Sequence, residues 1–479
     1  MSRFLRRPAL RKRRLASIAG NAEGSVGVIF GLCLLPLIGV VGLGVDYGVA
    51  TSSRAKLDRA ADAAAVAAVV TAKTYLANNP GQANVTTKAV AAGVAQATSV
   101  FQVNAGNIPF TTYQLQAPQL TRTGQTFKST IKYTGTVTNN FGRLFNSATT
   151  NLGNTASASA DVSSYLDFYL MVDVSGSMGL PSTDKGMTDL AAVNTDMIDD
   201  YKQGCQFACH FPGNVGWSKA AGRIQLRSDA VNSAVCSLIQ RASNPSVPNQ
   251  YRVGIYPFIN QLATLAPLTG TMATLSLAAQ CALPWPLAFT SMLDTGTTQL
   301  PTLLNPTTGT GSGGTHFETS LPQMKSTISS FGDGSSVGAP RPFVFLVTDG
   351  MQNSQNFFTM AGGKYAFPGN PSTYLGYANA WWDGSKPAQI DPSLCQSLKN
   401  AGATISILYI PYNTIKFVDR GGGVAWENNI VNGFSSTLST PLKACASSGF
   451  FYTANAPADI TAALNAMFDQ ALQVAHITQ

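Results

Sequence analysis

Three kinds of hydrophobic pattern follow one another along the chain. Residues 24–45 form an uncharged apolar run of twenty-two residues that ends at Asp46. Such a run is long enough for a helix to cross a bilayer, which takes about 20 residues. Residues 46–77 are alanine-rich, with the charges Arg54, Lys56, Asp58, Arg59 and Asp62 spaced among Ala60, Ala61, Ala63, Ala64 and Ala65, and this composition predicts a continuing helix. Residues 78–164 carry few charges and many Thr, Gln, Asn and Ser. Phe127 to Val137 alternates polar with apolar positions, so the region reads as a small β-rich connector with 157–163 as its last strand.

From residue 165 onward, short apolar runs alternate with amphipathic stretches. Strands are predicted at 166–173, 251–258, 343–347, 404–410 and 449–453, and helices at 224–242, 317–330, 393–401 and 458–470. That rhythm predicts an α/β domain with a doubly wound, mostly parallel sheet spanning 165–479. Three stretches exceed ordinary loop lengths, 179–222, 261–314 and 351–391, and are read as long insertions. Tyr374, Tyr377, Trp381 and Trp382 in the last of them are aromatic candidates for a partner surface, or equally for packing that insertion down.

Charge changes the picture at one end only. Arg3, Arg6, Arg7, Arg11, Lys12, Arg13 and Arg14 supply seven of the net eight positive charges, so residues 1–23 form a basic tail and the rest is nearly neutral. A basic cluster beside an apolar span argues for membrane topology rather than nucleic-acid binding. The expectation is a single-pass anchor in a bacterial cell membrane, with a cytoplasmic N-terminus and the bulk of the chain periplasmic or extracellular. The run is longer than a signal-peptide core and no small-x-small cleavage site closes it. Gly20 and Glu23 do not have the spacing of a type IV prepilin processing site.

The candidate chemistry lies at the ends of two predicted strands. Asp173-Val174-Ser175-Gly176-Ser177 follows the first, and Thr348-Asp349-Gly350 follows the third. Between them, Gly311-Ser312-Gly313-Gly314-Thr315 offers a further hydroxyl, for which Thr308, Thr310, Ser312 and Thr319 are alternatives to Thr315. The carboxyl ends of strands are where open α/β sheets place ligands. One carboxylate with two hydroxyls at alternate positions suits a hard cation such as Mg²⁺, or Mn²⁺ or Ca²⁺. Any one of these loops alone could be only a tight turn or a helix cap.

The three-loop pattern resembles the metal-ion-dependent adhesion site (MIDAS) of von Willebrand factor A domains. The resemblance implies Asp173, Ser175, Ser177, Thr315 and Asp349 as the metal set. It also implies an open coordination position that a partner's Asp or Glu completes. The apolar span, Val45-Asp46-Tyr47-Gly48 and Leu57-Asp58-Arg59-Ala60-Ala61-Asp62 resemble the N-terminal segment of TadE/TadG-like proteins of Flp (Tad) pilus assembly. The pairing of the two halves is the TadG-like architecture, and it implies pilus or envelope components as partners.

Cys33 lies in the apolar span, and six cysteines, Cys205, Cys209, Cys236, Cys281, Cys395 and Cys445, lie beyond it. An even number in an oxidising compartment suits disulfides. Cys395 with Cys445 is the expected pair, then Cys205 with Cys209 as a small loop, leaving Cys236 with Cys281. Cys205 to His210 is one residue too long for a c-type haem motif and lacks a fourth zinc ligand.

Two classes of function remain. One is a cation-dependent binding module in pilus assembly or surface adhesion, without enzymatic activity. The other is a metal-dependent phosphohydrolase, or failing a metal, a purely structural envelope protein. The phosphohydrolase reading is the weaker, because position 175 is Ser where such a site wants a second Asp, and no lysine sits near the later loops.

Overall fold

The computed structural model describes residues 23–79, 82–208, 215–245, 250–294, 310, 313–355, 358–359, 365–366 and 384–477. The basic cluster at residues 3–14, Thr308, Ser312, Cys209, His210, Tyr374, Tyr377, Trp381 and Trp382 lie outside the described residues. The chain divides into two compact units, Met1–Asn79 with Ala83–Asp161, and Pro80–Gln82 with Val162–Gln479.

In the first unit, helix α1 (Glu23–Asn78) runs unbroken for 56 residues, about 84 Å at 1.5 Å per residue. Its apolar part, from Val26 to Val45, leaves nearly every side chain exposed, and it is long and apolar enough to cross a membrane. From Asp46 onward one stripe turns inward: Ala50, Ser53, Leu57, Ala60, Ala61, Ala64, Ala65, Ala68, Val69 and Ala72 are buried, at helical spacings of three and four. Helix α2 (Val85–Ala105) packs along this stripe through Ala89, Gly93, Ala97 and Phe101. A helix here departs from the β-rich connector expected from residue 78 onward. The alanines of α1 present a flat face to which α2 packs, and that pairing is invisible to local alternation.

An antiparallel sheet covers the same helices. Strands β1 (Thr111–Leu115) and β2 (Gln119–Thr123) share one edge of the long β3 (Thr126–Thr138), and β4 (Thr149–Asp161) pairs with all of the other. Phe127, Ser129, Ile131 and Tyr133 alternate inward along β3. Polar contacts fix the register against α1. Ser129 Oγ donates to the Ala65 carbonyl at 2.7 Å, and Tyr133 Oη and Asn154 Nδ2 donate to Asp58 Oδ1 at 2.6 and 2.8 Å. At the other end, the Asp46 carboxylate accepts the backbone N–H groups of Asn140, Phe141 and Gly142 at 2.9, 2.9 and 2.7 Å.

The second unit is built on β5 (Leu166–Asp173), whose eight residues are all buried. In chain order follow α3 (Asp184–Val193), α4 (Val215–Ala220), α5 (Arg227–Ala242), β6 (Tyr251–Phe258), β7 (Ala266–Thr269), α6 (Met272–Ala278), α7 (Phe317–Thr327) and β8 (Arg341–Thr348). Then come β9 (Met351–Asn353), β10 (Phe358–Thr359), β11 (Tyr365–Ala366), β12 (Pro387–Gln389), α8 (Pro392–Ala401), β13 (Thr404–Tyr409), α9 (Gly423–Phe434), α10 (Ser439–Cys445), β14 (Phe451–Thr453) and α11 (Pro457–Ile477).

The main sheet has the order β14-β13-β8-β5-β6-β7. Its first five strands are parallel and β7 runs antiparallel at the edge, so the sheet is mixed. Alternate residues of β5 feed two cores. Phe168, Leu170 and Val172 pack with α5 and α11, through Val231, Leu238, Leu464 and Phe468. Tyr169 and Met171 pack with α7, α8 and α10, through Phe317, Leu321, Leu398 and Leu442. A strand buried on both faces reads as one continuous apolar run. Its one early charge, Asp167, lies opposite Arg252 in the register with β6 and takes two hydrogen bonds from that guanidinium, at 2.7 and 2.6 Å.

The stretches expected as long insertions are partly regular. Residues 179–222 contain α3 and α4, and 261–314 contains the edge strand β7 and α6. Helices α9 and α10, between 410 and 450, are additional to the expected elements: α9 carries two adjacent asparagines and glycines, which are weak helix formers, and α10 is only seven residues long.

Two disulfides tie helices to neighbouring segments: Cys236 of α5 to Cys281, and Cys395 of α8 to Cys445 of α10, with Cα atoms 5.4 and 5.2 Å apart. The partner expected for Cys205 lies outside the described residues. Loops of 45 and 50 residues imply about 4 kcal/mol of stabilisation each on the chain-entropy estimate. Peptide mapping under non-reducing conditions should recover both linked pairs. Recovery of either pair as free thiols from freshly prepared, oxidised protein would contradict the structure.

Candidate functional site

β5 and β8 are neighbours, and their register sets Val172 beside Val347. Asp173 and Thr348 therefore leave the sheet side by side at its carboxyl edge, with Asp349 one residue further on. Thr348 Oγ1 donates to Asp173 Oδ2 at 2.6 Å and accepts the Gly350 N–H at 2.9 Å. The other oxygen of Asp173 accepts the Ser175 N–H at 2.9 Å, and this closes the turn after β5. A short 3₁₀ turn, Gly176–Gly179, then brings the Ser177 hydroxyl within 3.3 Å of the Ser175 hydroxyl.

Both carboxylates are fully buried. Burial raises the pKa of Asp173 to about 7, with the nearby charge of Asp349 adding to it, while hydrogen bonds from Ser175 and Thr348 act in the opposite sense. Burial also raises the pKa of Asp349, and the Arg227 guanidinium opposes that rise most strongly. The hydroxyls of Ser177 and Tyr412 and the Met351 N–H face the same carboxylate and favour its charged form. Even so, Asp349 Oδ1 accepts no hydrogen bond of ordinary geometry. A buried carboxylate oxygen without a donor is costly unless something else compensates it.

Arg227 is the residue that sequence reasoning missed. It opens α5, is almost fully buried, and reaches Asp349 Oδ2 at 3.3 Å and the Pro411 carbonyl at 2.8 Å. Its guanidinium lies 5.2 Å from the centre of the Tyr412 ring. Nothing in local sequence separates a buried arginine at a helix start from a solvated one. Tyr412 was a better target, since it follows β13 at the same carboxyl edge as Asp173 and Asp349.

Thr315 is buried, and two backbone hydrogen bonds with Asn353, of 2.8 and 2.9 Å, hold its loop beside the segment that follows Asp349. Gly314 before it has φ of +69°, and a Cβ there would run into the Asn353 carbonyl oxygen, so this approach requires glycine. Among the described residues, the Thr315 hydroxyl makes no hydrogen bond to the other four expected residues. Of the alternatives, Thr319 is committed elsewhere, donating to the Asn260 and His316 carbonyls. Thr310 is buried, and its carbonyl accepts the N–H groups of Asn260 and Gln261. The structure thus gathers Asp173, Ser175, Ser177 and Asp349 with Thr348, Arg227 and Tyr412, and sets Thr315 on the adjoining loop.

The donor set fits a hard cation. It offers two buried carboxylates, two hydroxyls on one turn and a carboxylate oxygen without a hydrogen-bond donor. With both carboxylates ionised, Arg227 balances one of the two charges, leaving a deficit of one positive charge in a buried pocket.

That balance makes a prediction. Arg227→Met should cost about 3–5 kcal/mol of unfolding free energy, because it leaves Asp349 buried and unpaired. Arg227→Met with Asp349→Asn should recover most of that loss in urea titrations. Equal losses in the single and double variants would mean that the ion pair is not what stabilises this corner.

Comparisons with known proteins bear on the two units differently. Residues 24–73 match the family model described as "Putative Flp pilus-assembly TadE/G-like". The comparison with curated proteins finds no match. Among solved structures, the chain is similar to the pilus adhesin SpaC from Lactobacillus rhamnosus GG, at 12% identity and a TM-score of 0.33, covering 76% of this chain and 34% of that one. It is similar to the vWF domain of the type V pili tip protein Mfa5 from Porphyromonas gingivalis, at 14% identity and a TM-score of 0.31, covering 66% of this chain and 98% of that one. It is also similar to proximal thread matrix protein 1 from the mussel byssus with a zinc-occupied MIDAS motif, at 14% identity and a TM-score of 0.31, covering 64% and 48%. This chain thus spans about a third of the length of SpaC. Likenesses at that level say nothing about ligand or partner, so the site stands on its own geometry. The N-terminal segment, residues 24–73, is TadE/G-like.

Proposed function

We propose that the carboxyl edge of the main sheet is a divalent-cation site and that the chain is a membrane-anchored, cation-dependent binding module of Tad pilus assembly or surface adhesion. The observation that carries this reading is the convergence of Asp173 and Asp349 with the Ser175 and Ser177 hydroxyls, with one carboxylate oxygen left without a hydrogen bond. Asp173, Ser175, Ser177 and Asp349 supply oxygen donors, and Thr315 supplies another from the adjoining loop. The ion is Mg²⁺, with Mn²⁺ or Ca²⁺ as alternatives, and when bound it offers a coordination position to an acidic side chain. Charge counting supports such a partner. Two carboxylates, one arginine and a divalent cation sum to one net positive charge, which a partner's Asp or Glu would neutralise.

The pilus context rests on the TadE/G-like segment. The anchor rests on the exposed apolar stretch of α1. An N-terminus inside and a second unit outside the cytoplasm follow from the basic cluster at residues 3–14 and agree with the two disulfides. The reading assigns no reaction to the site. Arg227, buried, and Tyr412, partly buried, stand beside Asp349 as a fixed charge and a hydroxyl donor.

Calorimetric titration of Mg²⁺ and Mn²⁺ into the oxidised protein should show one saturable site, lost in Asp173→Ala and in Asp349→Ala. Binding that survives both substitutions, or no binding to the folded wild type, would overturn the assignment.

A further inference from the structure

The loop between β3 and β4, residues 139–148, is fastened to α1 by a buried carboxylate. Asp46 clamps three consecutive N–H groups in it, at Asn140, Phe141 and Gly142. The chain then closes on itself. The N–H of Leu144 donates to the Phe141 carbonyl at 3.0 Å, that of Asn146 to Arg143 at 3.3 Å, that of Ser147 to Gly142 at 2.9 Å, and that of Asn139 to Ala148 at 3.0 Å. Asn139 Nδ2 takes up the Ser147 carbonyl at 3.1 Å. The result is a compact tip whose backbone polarity is largely satisfied internally.

Two apolar side chains of the tip point away from any core, flanked by the exposed polar residues Asn140, Arg143, Asn146 and Ser147. Leu144 is 75% exposed and Phe145 55% exposed. Phe110, whose carbonyl accepts the Thr138 N–H just before the loop, is 58% exposed. Exposed apolar side chains that gather on one surface mark a contact, and the tip supplies two in succession, Leu144 and Phe145.

Its position along α1 gives the reason. Phe141 packs against Gly42, where a Cβ would collide with the ring, and Phe145 reaches Gly39, where a Cβ would lie 2.7 Å from the ring edge. Gly39 and Gly42 are the only residues from Val26 to Val45 that are buried, and the tip is what lies over them. Gly39 is six residues inside the end of the apolar run at Val45, which is about 9 Å along a helix. Whatever medium surrounds residues 39–45 therefore also surrounds Leu144 and Phe145.

We infer that the β3–β4 loop is a second membrane-contacting element, in which Leu144 and Phe145 enter the acyl region of the same leaflet that α1 leaves at Val45. This rests on the reading of α1 as a membrane anchor. The occupant is lipid, because the tip is continuous with the lipid-exposed surface of the span, which is uncharged throughout. Backbone immersed in hydrocarbon must satisfy its own hydrogen bonds. The Asp46 clamp and the internal bonds of the tip meet that requirement, where an open turn would not. Arg143 sits between the apolar residues, with a side chain long enough to return to the headgroups. The loop and α1 then form a two-point footing, which fixes how the first unit is rotated about the span instead of leaving it to swivel on one helix.

The full chain is reconstituted in phosphatidylcholine–phosphatidylglycerol vesicles with and without acyl-brominated lipid, and Trp fluorescence quenching is compared among three substitutions. Phe30→Trp reports the span, Leu144→Trp the tip, and Thr123→Trp the far end of the same sheet; each is read as the difference from wild type. The inference expects strong quenching at positions 30 and 144 and none at 123. Quenching at 30 with position 144 no different from 123 would overturn it while leaving the anchor in place, as it would if the tip docked on another protein. Absence of quenching at all three would remove the anchor itself and the inference with it.

Discussion

Two carboxylates buried side by side at the edge of a sheet repel one another and lose their hydration, and most of the second unit's corner is arranged around that problem. Asp173 and Asp349 are both fully buried. The parallel pairing of β5 with β8 forces them together, since Val172 and Val347 are in register. Thr348 and the Ser175 amide satisfy one carboxylate, and Arg227 partly neutralises the other. With both carboxylates ionised, one charge is left uncompensated, and one oxygen has no hydrogen bond of ordinary geometry. Replacing a buried ion pair with apolar residues of similar volume is often neutral or stabilising, so stability alone does not account for the charges at this corner; the cation proposed for it does.

The first unit answers a different constraint. A helix of 56 residues has to change environment part-way, from exposed apolar surface to a packed alanine stripe. Asp46 stands at that change. Its carboxylate is buried not by a cation but by three backbone N–H groups of the β3–β4 loop, so the polar end of the apolar run and the tip of the sheet are one structure. Asp58 and Ala65 repeat the tactic further along, taking Tyr133, Asn154 and Ser129 of the sheet. Asp46 and Asp58, two of the residues that carry the N-terminal resemblance, thus act as sheet-to-helix fasteners.

Much of this was legible in the sequence because local pattern and tertiary role agree there. β5 reads as a strand because both of its faces are buried, and the Asp-x-Ser-x-Ser turn after it is a local hydrogen-bonded device. Legibility failed where a long-range partner decides the outcome. Arg227 looks like any helix-opening arginine until Asp349, 122 residues later, is brought beneath it. Helix α2 hides within a Thr- and Gln-rich region because its only strong signal is small residues facing the alanines of α1. Strand β7 is four residues at an edge, inside a stretch that reads as an insertion. The apolar side chains of the tip, Phe141, Leu144 and Phe145, carry no signal as a loop; their meaning comes only from the level along α1 at which the tip packs.

The most direct test of the central claim is to see an ion. Crystals of the protein grown in Mn²⁺ should give an anomalous difference peak between the Asp173 and Asp349 carboxylates, within bonding distance of the Ser175 and Ser177 hydroxyls. A folded protein that shows no such peak at saturating Mn²⁺, or a peak only at a different place, would contradict the account and leave Arg227 as the corner's sole charge compensation.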